Sequence, residues 1–230
     1  MTASAGRLTL VRHGESIWNR QNRFTGWVDV SLSKQGMKEA VRMGKQLCDY
    51  RYDVAFSSTL LRAQDTLYEI LKHNCHCDQY MRVHELSREW YEHFVSSGED
   101  RTELKIYISE KLNERYYGDL QGLNKDEIKK QYGVEQVHVW RRSYSVAPPG
   151  GESLADTAKR VLPYYKTYIV PWLEKGRSVL VSAHGNSLRA LIMYLEKMTP
   201  DEIENFEIPT GTPYIYIFDR RLEIREKKVL

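Results

Sequence analysis

Two histidines occupy the same sequence context, and both could perform phosphoryl chemistry. His13 follows the apolar residues 8–11, His184 follows the apolar residues 179–183, and a glycine comes directly after each histidine. Ligands of open α/β sheets bind at the carboxyl ends of the strands, so both histidines would face a ligand crevice. Neutral imidazole is nucleophilic near pH 7 and can accept a phosphoryl group. One histidine in such a position is usually structural, but two matched sites, one preceded by Arg12, favour a phosphate pocket.

Arginines and one acidic loop supply the other candidates. A guanidinium binds phosphate through paired hydrogen bonds and keeps its charge. Five arginines fall at predicted element ends or in loops: Arg12, Arg62, Arg115, Arg141 and Arg142. Glu114 stands beside Arg115 in residues 112–122, a glycine-flanked segment typical of a functional loop. Each group alone has a simpler explanation, either a solvated arginine or a surface ion pair of small energy.

The elements that would position these groups alternate between strands and helices. Apolar runs predict strands at residues 7–12, 54–57, 105–108, 178–183 and 214–218, with an extended segment at 222–227. Helical periodicity predicts helices at residues 33–49, 60–73, 125–132, 134–142, 152–172 and 187–196, with a short helix from Pro200 and a kink at Pro163. This order predicts one α/β domain over residues 1–230, a three-layer sandwich whose mostly parallel sheet has helices on both faces. Residues 74–106 read as a polar insertion with weak periodicity and a loop tip at 96–100.

Composition narrows the class of protein. The 230 residues carry a net charge of +3, which is too small to favour nucleic acid as a partner. No apolar run approaches the roughly 18 residues that cross a bilayer, and residues 1–7 lack the apolar core of a signal peptide. Three cysteines, an odd number, do not form a disulfide framework. We therefore expect a cytoplasmic enzyme without membrane or nucleic-acid partners. Cys75, His76 and Cys77 could bind zinc, but their spacing departs from the usual one, so we predict no metal.

Longer motifs make the assignment more specific. Residues 12–19 read Arg-His-Gly-Glu-Ser-Ile-Trp-Asn, and residues 24–29 read Phe-Thr-Gly-Trp-Val-Asp. Together with residues 112–122, 140–144, 151–154, 183–189 and 208–211, they resemble the cofactor-dependent phosphoglycerate mutases of the histidine phosphatase superfamily. The Arg-His-Gly triplet alone marks only the superfamily. The Asn-Glu-Arg-x-Tyr-Gly block with the Arg141-Arg142 pair is far more specific to the mutases.

The resemblance implies a role for each matching position. His13 resembles the nucleophile that carries the phosphoryl group on Nε2, and Glu114 resembles the general acid/base for the substrate hydroxyl. His184 resembles the histidine that, with Arg12 and Arg62, stabilises the transferring phosphoryl group. The positions that match substrate- and phosphate-binding residues are Ser16, Asn19, Thr25, Gly26, Arg115, Tyr117, Lys125, Arg141, Arg142, Gly185 and Asn186.

The implied activity is the glycolytic and gluconeogenic isomerisation of 3-phosphoglycerate and 2-phosphoglycerate, primed by 2,3-bisphosphoglycerate and requiring no metal. Three alternatives stay open: a phosphatase of the same superfamily, a bisphosphoglycerate synthase, and a binding protein without activity. Residues 146–150 lead almost directly to Glu152, whereas many family members carry an extra segment there that covers the site and aids subunit contacts. The resemblance is therefore compatible with either a homodimer or a monomer.

Overall fold

The computed structural model describes residues 6–83 and 103–230, and the strands of this part form one seven-stranded sheet. The spatial order is β3-β4-β2-β5-β1-β6-β7. Among these strands, β6 alone points in the direction opposite to that of the other six. The strands are β1 (Arg7–Arg12), β2 (Val54–Ser57), β3 (Tyr80–Val83), β4 (Leu104–Ile108), β5 (Ser178–Ala183), β6 (Tyr214–Phe218) and β7 (Ile224–Val229). The predicted mostly parallel α/β sheet is confirmed.

Helices cover both faces of this sheet, as predicted. They are α1 (Ile17–Arg20), α2 (Lys34–Gln46), α3 (Leu61–Lys72), α4 (Lys125–Tyr132), α5 (Val134–Arg142), α6 (Leu154–Tyr164), α7 (Val170–Glu174), α8 (Gly185–Glu196) and α9 (Pro200–Asn205). Within β5, Val179 and Val181 pack towards α6 and α8, whereas Leu180 packs towards α2 and α3. Burying each such side chain contributes about 1.5–3 kcal/mol to folding. Because helices cover both faces of the sheet, the central strands are apolar on both faces.

The long helix predicted over residues 152–172 is interrupted, and the interruption is not a simple kink at Pro163. That proline lies inside α6, and a π-helical turn, Tyr165–Ile169, follows before α7 resumes. Pro171, at the start of α7, has no N–H to donate, and its ring crowds the carbonyl one turn earlier. The widened turn lies immediately before this second proline.

The segment 74–106 contributes more regular structure than its sequence indicated. It contains β3, which was not predicted, and β4 begins at Leu104. Only Val83 of β3 is buried, while Tyr80 and Arg82 are exposed, so this edge strand has almost no apolar pattern. The predicted loop tip at 96–100 lies outside the described residues. β7 also starts two residues later than expected, because Leu222 lies in a turn with φ of 59°. No described helix is long and apolar enough to cross a membrane.

Candidate functional site

The two matched histidines meet at the carboxyl edge of the sheet. β1 and β5 are parallel neighbours whose register pairs Arg12 with Ala183. The His13 N–H donates to the Ala183 carbonyl at 3.0 Å, and the ring centroids of His13 and His184 are 4.9 Å apart. Strand order alone therefore places both imidazoles at one rim.

His13 is held in the form that can act as a nucleophile. Its ring is buried, and Nδ1 lies 2.7 Å from the Gly14 carbonyl oxygen, which can only accept a hydrogen bond. The proton therefore sits on Nδ1, and Nε2 carries the free lone pair. Burial, followed by the nearby charges of Arg62 and Arg12, lowers the pKa of His13 well below its ordinary value. The ring stays neutral near pH 7.

His184 is also buried and neutral, but it is held differently. Its Nε2 lies 2.7 Å from the Ser58 hydroxyl, and its Nδ1 has no hydrogen-bond partner among the described residues. Burial, followed by Arg62 and His13, lowers the pKa of His184 well below its ordinary value. A buried polar atom without a partner is costly, so Nδ1 is a ready contact for a ligand.

A strongly cationic cavity of about 110 Å³ lies in front of His13. Thirteen of the sixteen predicted site residues line it: Arg12, His13, Asn19, Thr25, Gly26, Arg62, Glu114, Tyr117, Lys125, Arg141, Arg142, Gly185 and Asn186. Burial lowers the pKa of Arg62 to about 10, and burial followed by Arg141 lowers the pKa of Lys125. The Arg62 guanidinium still carries its charge near pH 7. Such a cavity attracts a small polyanion.

The Glu114 carboxylate lines the cavity next to the start of α8. Its Oε1 accepts hydrogen bonds from the Arg115 N–H at 2.7 Å and the Asn186 N–H at 3.0 Å. The second of these donors belongs to the first turn of α8, where backbone N–H groups lack helical partners. Its Oε2 would lie 3.6 Å from a methyl group added at Gly185, so this edge of the carboxylate faces the glycine. A carboxyl group so placed can exchange a proton with a bound hydroxyl.

Three predicted site residues do not line the cavity: Ser16, Arg115 and His184. Ser16 caps α1, and its hydroxyl accepts the Asn19 N–H at 3.1 Å. The fully buried Arg115 donates to the Arg141 carbonyl at 2.8 Å and to the Tyr117 hydroxyl at 3.2 Å. The structure therefore places Ser16 and Arg115 behind residues that do line the cavity.

Five lining residues were not predicted: Arg23, Phe24, Arg189, Glu207 and Ile208. Arg189 stands one helical turn after Asn186 and donates to its side-chain oxygen at 2.9 Å, a spacing of three that the sequence displays. Glu207 forms an ion pair with Arg142, and the Ile208 carbonyl accepts from Arg12 at 2.6 Å. No local sequence pattern identifies Arg23 or Glu207 as cavity-lining residues, because the residues around them in the cavity come from distant segments of the chain.

Of the residues considered for zinc, Cys75 belongs to a cluster that lies away from this edge of the sheet, with Cys48 and Asp49, which were not predicted. Cys48, Asp49 and Cys75 place their potential ligand atoms within 4.8 Å of one another. They follow α2 and α3 and precede β2 and β3, so they belong to the amino ends of the strands. The absence of a metal from the chemistry at His13 stays a prediction.

Comparisons with known proteins agree with this geometry. A family model described as "Histidine phosphatase superfamily (branch 1)" matches residues 8–94 and 97–224. A protein of Pseudoalteromonas atlantica named 2,3-bisphosphoglycerate-dependent phosphoglycerate mutase is 60% identical over 97% of this chain and 98% of its own length. A Schizosaccharomyces pombe phosphoglycerate mutase is 51% identical over 95% and 92% of the two chains. Among solved structures, Bacillus stearothermophilus YhfR superposes with a TM-score of 0.73 at 25% identity, covering 96% and 95% of the chains.

The cationic cavity predicts stabilisation by inorganic phosphate. Phosphate at about 100 times its Kd should add about 2.7 kcal/mol to the free energy of unfolding and raise the Tm by several degrees. Arg141→Met should weaken this response, whereas Arg221→Met, at an exposed position, should retain it. Thermal unfolding across a phosphate titration measures both, and equal responses in the two variants would contradict the prediction.

The histidine environments predict a pH effect on stability. Because His13 and His184 have folded-state pKa values below 6.5, the unfolded chain binds their protons first as the pH falls. The free energy of unfolding should therefore decrease as the pH drops below 6.5. Histidine-selective NMR, with His13→Asn for assignment, follows each ring directly. A His13 ring that becomes protonated at or above pH 6.5 is the contrary result.

Proposed function

Because the chain belongs to the histidine phosphatase superfamily, we propose that it interconverts 3-phosphoglycerate and 2-phosphoglycerate by way of a phosphohistidine at His13. The observation that carries the proposal is the cavity itself, where a neutral nucleophilic imidazole, a carboxyl group and several cations converge. Relatives at 50–60% identity over nearly their full lengths bear the name of this activity.

The residues around His13 suit phosphoryl transfer. The Nε2 lone pair forms the bond to phosphorus while the bond to the leaving oxygen breaks, and Glu114 supplies the proton that this oxygen takes. Arg12, Arg62 and His184 stabilise the charge that spreads over the phosphoryl oxygens, so catalysis is mainly positioning and electrostatic. In the second half-reaction Glu114 removes the proton from the accepting hydroxyl, and the phosphoryl group leaves His13.

Unpartnered polar atoms support 2,3-bisphosphoglycerate as the primer. Within the described residues, Arg12 Nε, Thr25 Oγ1 and His184 Nδ1 are buried and lack hydrogen-bond partners. Each is a donor, or can become one. Arg12 and Thr25 line the cavity, and His184 lies against His13, which also lines it, so these atoms fit an anion with several phosphate oxygens. Bound 2,3-bisphosphoglycerate would supply the phosphoryl group that charges His13. Lys125, Arg141 and Arg142 would hold its remaining anionic groups.

A phosphatase is the second candidate, because solved structures of similar fold include phosphatases. One is a mycobacterial glucosyl-3-phosphoglycerate phosphatase, with a TM-score of 0.74 at 24% identity. That similarity shows the fold alone. A phosphatase needs only water as acceptor, whereas Lys125, Arg141 and Arg142 line this cavity in addition to Arg12 and Arg62. These cations favour a second anionic substrate, and therefore the mutase.

We also propose that residues 1–230 form one domain acting in the cytoplasm on small-molecule phosphoglycerates. All described strands belong to one sheet. The three cysteines are unpaired, in keeping with a reducing compartment. Neither a metal nor a nucleic acid enters the proposed reaction.

An enolase-coupled assay tests the activity. Turnover of 3-phosphoglycerate should rise strongly when catalytic amounts of 2,3-bisphosphoglycerate are added, because unprimed His13 has no phosphoryl group to donate. Enzyme freed of bisphosphate by dialysis, and of the phosphoryl group on His13 by hydrolysis, should show the largest stimulation. Full turnover by enzyme never exposed to the bisphosphate, or dependence on manganese, would reject the proposal.

Substitution of the nucleophile tests the intermediate. His13→Ala should abolish both turnover and the acid-labile phosphorylation that follows incubation with 2,3-bisphosphoglycerate. His138→Ala, at an exposed position on α5, should change neither. Quantitative mass spectrometry of intact protein at alkaline pH detects the phosphoenzyme. A His13→Ala protein that still takes up one acid-labile phosphate would exclude His13 as the acceptor.

A further inference from the structure

Glu114 lies in a segment without regular secondary structure, between the 3₁₀ turns Glu110–Leu112 and Gly118–Leu120. Proton transfer requires a carboxyl group within hydrogen-bond reach of the hydroxyl, and errors near 1 Å can cost about 100-fold in rate. Other parts of the chain must therefore fix this segment.

Arg160, on α6, supplies most of that fixation. Its Nη1 donates to the Lys111 carbonyl at 3.0 Å and to the Asn113 carbonyl at 2.9 Å, and its Nη2 donates to the Glu114 carbonyl at 2.8 Å. One side chain thus holds two main-chain oxygens of the segment, those of Asn113 and Glu114, and one in the 3₁₀ turn that precedes it. The Trp27 indole N–H donates to the same Glu114 carbonyl at 2.5 Å, and the Arg160 guanidinium lies over the Trp27 ring.

Glu152 holds Arg160 in place and binds the other end of the segment. Its carboxylate accepts from Arg160 Nε at 3.0 Å and from Nη2 at 2.9 Å, a two-point geometry. It also accepts the Tyr116 N–H at 3.0 Å, and its own N–H donates to the Tyr116 carbonyl at 2.8 Å. Burial opposes its ionisation, but the bonds from Arg160 and Tyr116 outweigh burial and lower the pKa of Glu152.

We propose that Arg160 and Glu152 are positioning residues for proton transfer, a brace that sets the Glu114 carboxyl against the bound hydroxyl. The proposal rests on the mutase function proposed above. Neither residue lines the cavity, so the brace acts through Glu114 and not by contact with substrate. Its charges persist at neutral pH because the lowered pKa of Glu152 keeps the carboxylate ionised.

A surface ion pair would not have this consequence. Exposed pairs contribute little, as with Lys159 and Asp156 on the same helix, where the lysine side chain is 77% exposed. The Arg160 side chain is only 13% exposed, and every one of its donors is occupied by Glu152 or the Glu114 segment. Removing it would take the Arg160 donor from the part-buried Asn113 carbonyl and leave the Glu114 carbonyl to the Trp27 indole N–H.

A double-mutant cycle with Glu114 tests the brace. Arg160→Met should lower kcat on the order of 100-fold in the wild-type background. In a Glu114→Gln background it should cost less than about threefold, because residues that act as one unit are not additive. Single-turnover phosphorylation of His13 by 2,3-bisphosphoglycerate, followed by mass spectrometry, measures the slow variants. The Kd for inorganic phosphate should change by less than about twofold.

Lys159→Met, the neighbouring exposed position, is the matched control and should leave kcat unchanged. Equal losses from Arg160→Met in both backgrounds, or no loss in the wild-type background, would overturn the brace. If the methionine variant does not fold, Arg160→Lys keeps the charge but cannot reach five acceptors and should follow the same pattern. If the wild-type chain only hydrolyses phosphoesters, the proposed mutase function is rejected instead. The double-mutant cycle can then still be measured on the rate of hydrolysis.

Discussion

The structure depends on several buried guanidinium groups that stay charged although no carboxylate of the described residues neutralises them. Isolated buried charges are costly, and proteins commonly offset them with carboxylates, which would cancel the charge a phosphate needs. Here main-chain carbonyls take that place. Arg62 donates to the Gly26 and Val28 carbonyls, and Arg12 donates to the Ile208 carbonyl. Within the described part of the chain, neither arginine forms an ion pair.

This arrangement explains why the site is built from loops around a rigid sheet. A carbonyl can face inwards only where the chain turns away from its own hydrogen-bonded ladder. Gly26 has a φ of 55°, and a side chain there would collide with Gln121, so glycine allows this carbonyl to reach Arg62. The sheet fixes the positions of His13 and His184, and main-chain carbonyls of the loops accept hydrogen bonds from the cations around them. The neutral histidines follow, because burial and then the same cations lower their pKa values.

Local patterns in the sequence predicted the parts of the molecule that local forces determine. Apolar runs located β1, β2 and β5, and the matched histidines then followed from sheet geometry. The edge strand β3 was missed because one buried residue gives no periodicity. The π-helical turn was missed because the apolar stripe continues through it at helical spacing, and the prediction considered Pro163 but not Pro171. Arg160 was missed for another reason: the main-chain carbonyls that it holds lie 46–49 residues away in sequence, and only the fold brings them within reach.

Most of the residues that line the cavity were predicted from the resemblance to a known family, whereas residue type and position alone indicated only the two histidines, Glu114 and five arginines. The sequence could not show which of these side chains line the cavity and which lie behind it. Ser16 and Arg115 belong to the same motifs as Asn19 and Tyr117, yet they lie behind them. Alternation along a loop does not reveal which side chain faces a cavity, since turns have no fixed period.

The most direct test of the account is the chemical identity of the phosphoenzyme. Enzyme labelled with ¹⁵N-histidine and charged with 2,3-bisphosphoglycerate can be examined by ³¹P–¹⁵N correlation NMR, with assignment by His13→Asn. Because the Gly14 carbonyl holds the proton on Nδ1, the account predicts one phosphoryl group, bonded to Nε2 of His13. Phosphorus bonded to Nδ1, or to any other residue, would contradict it.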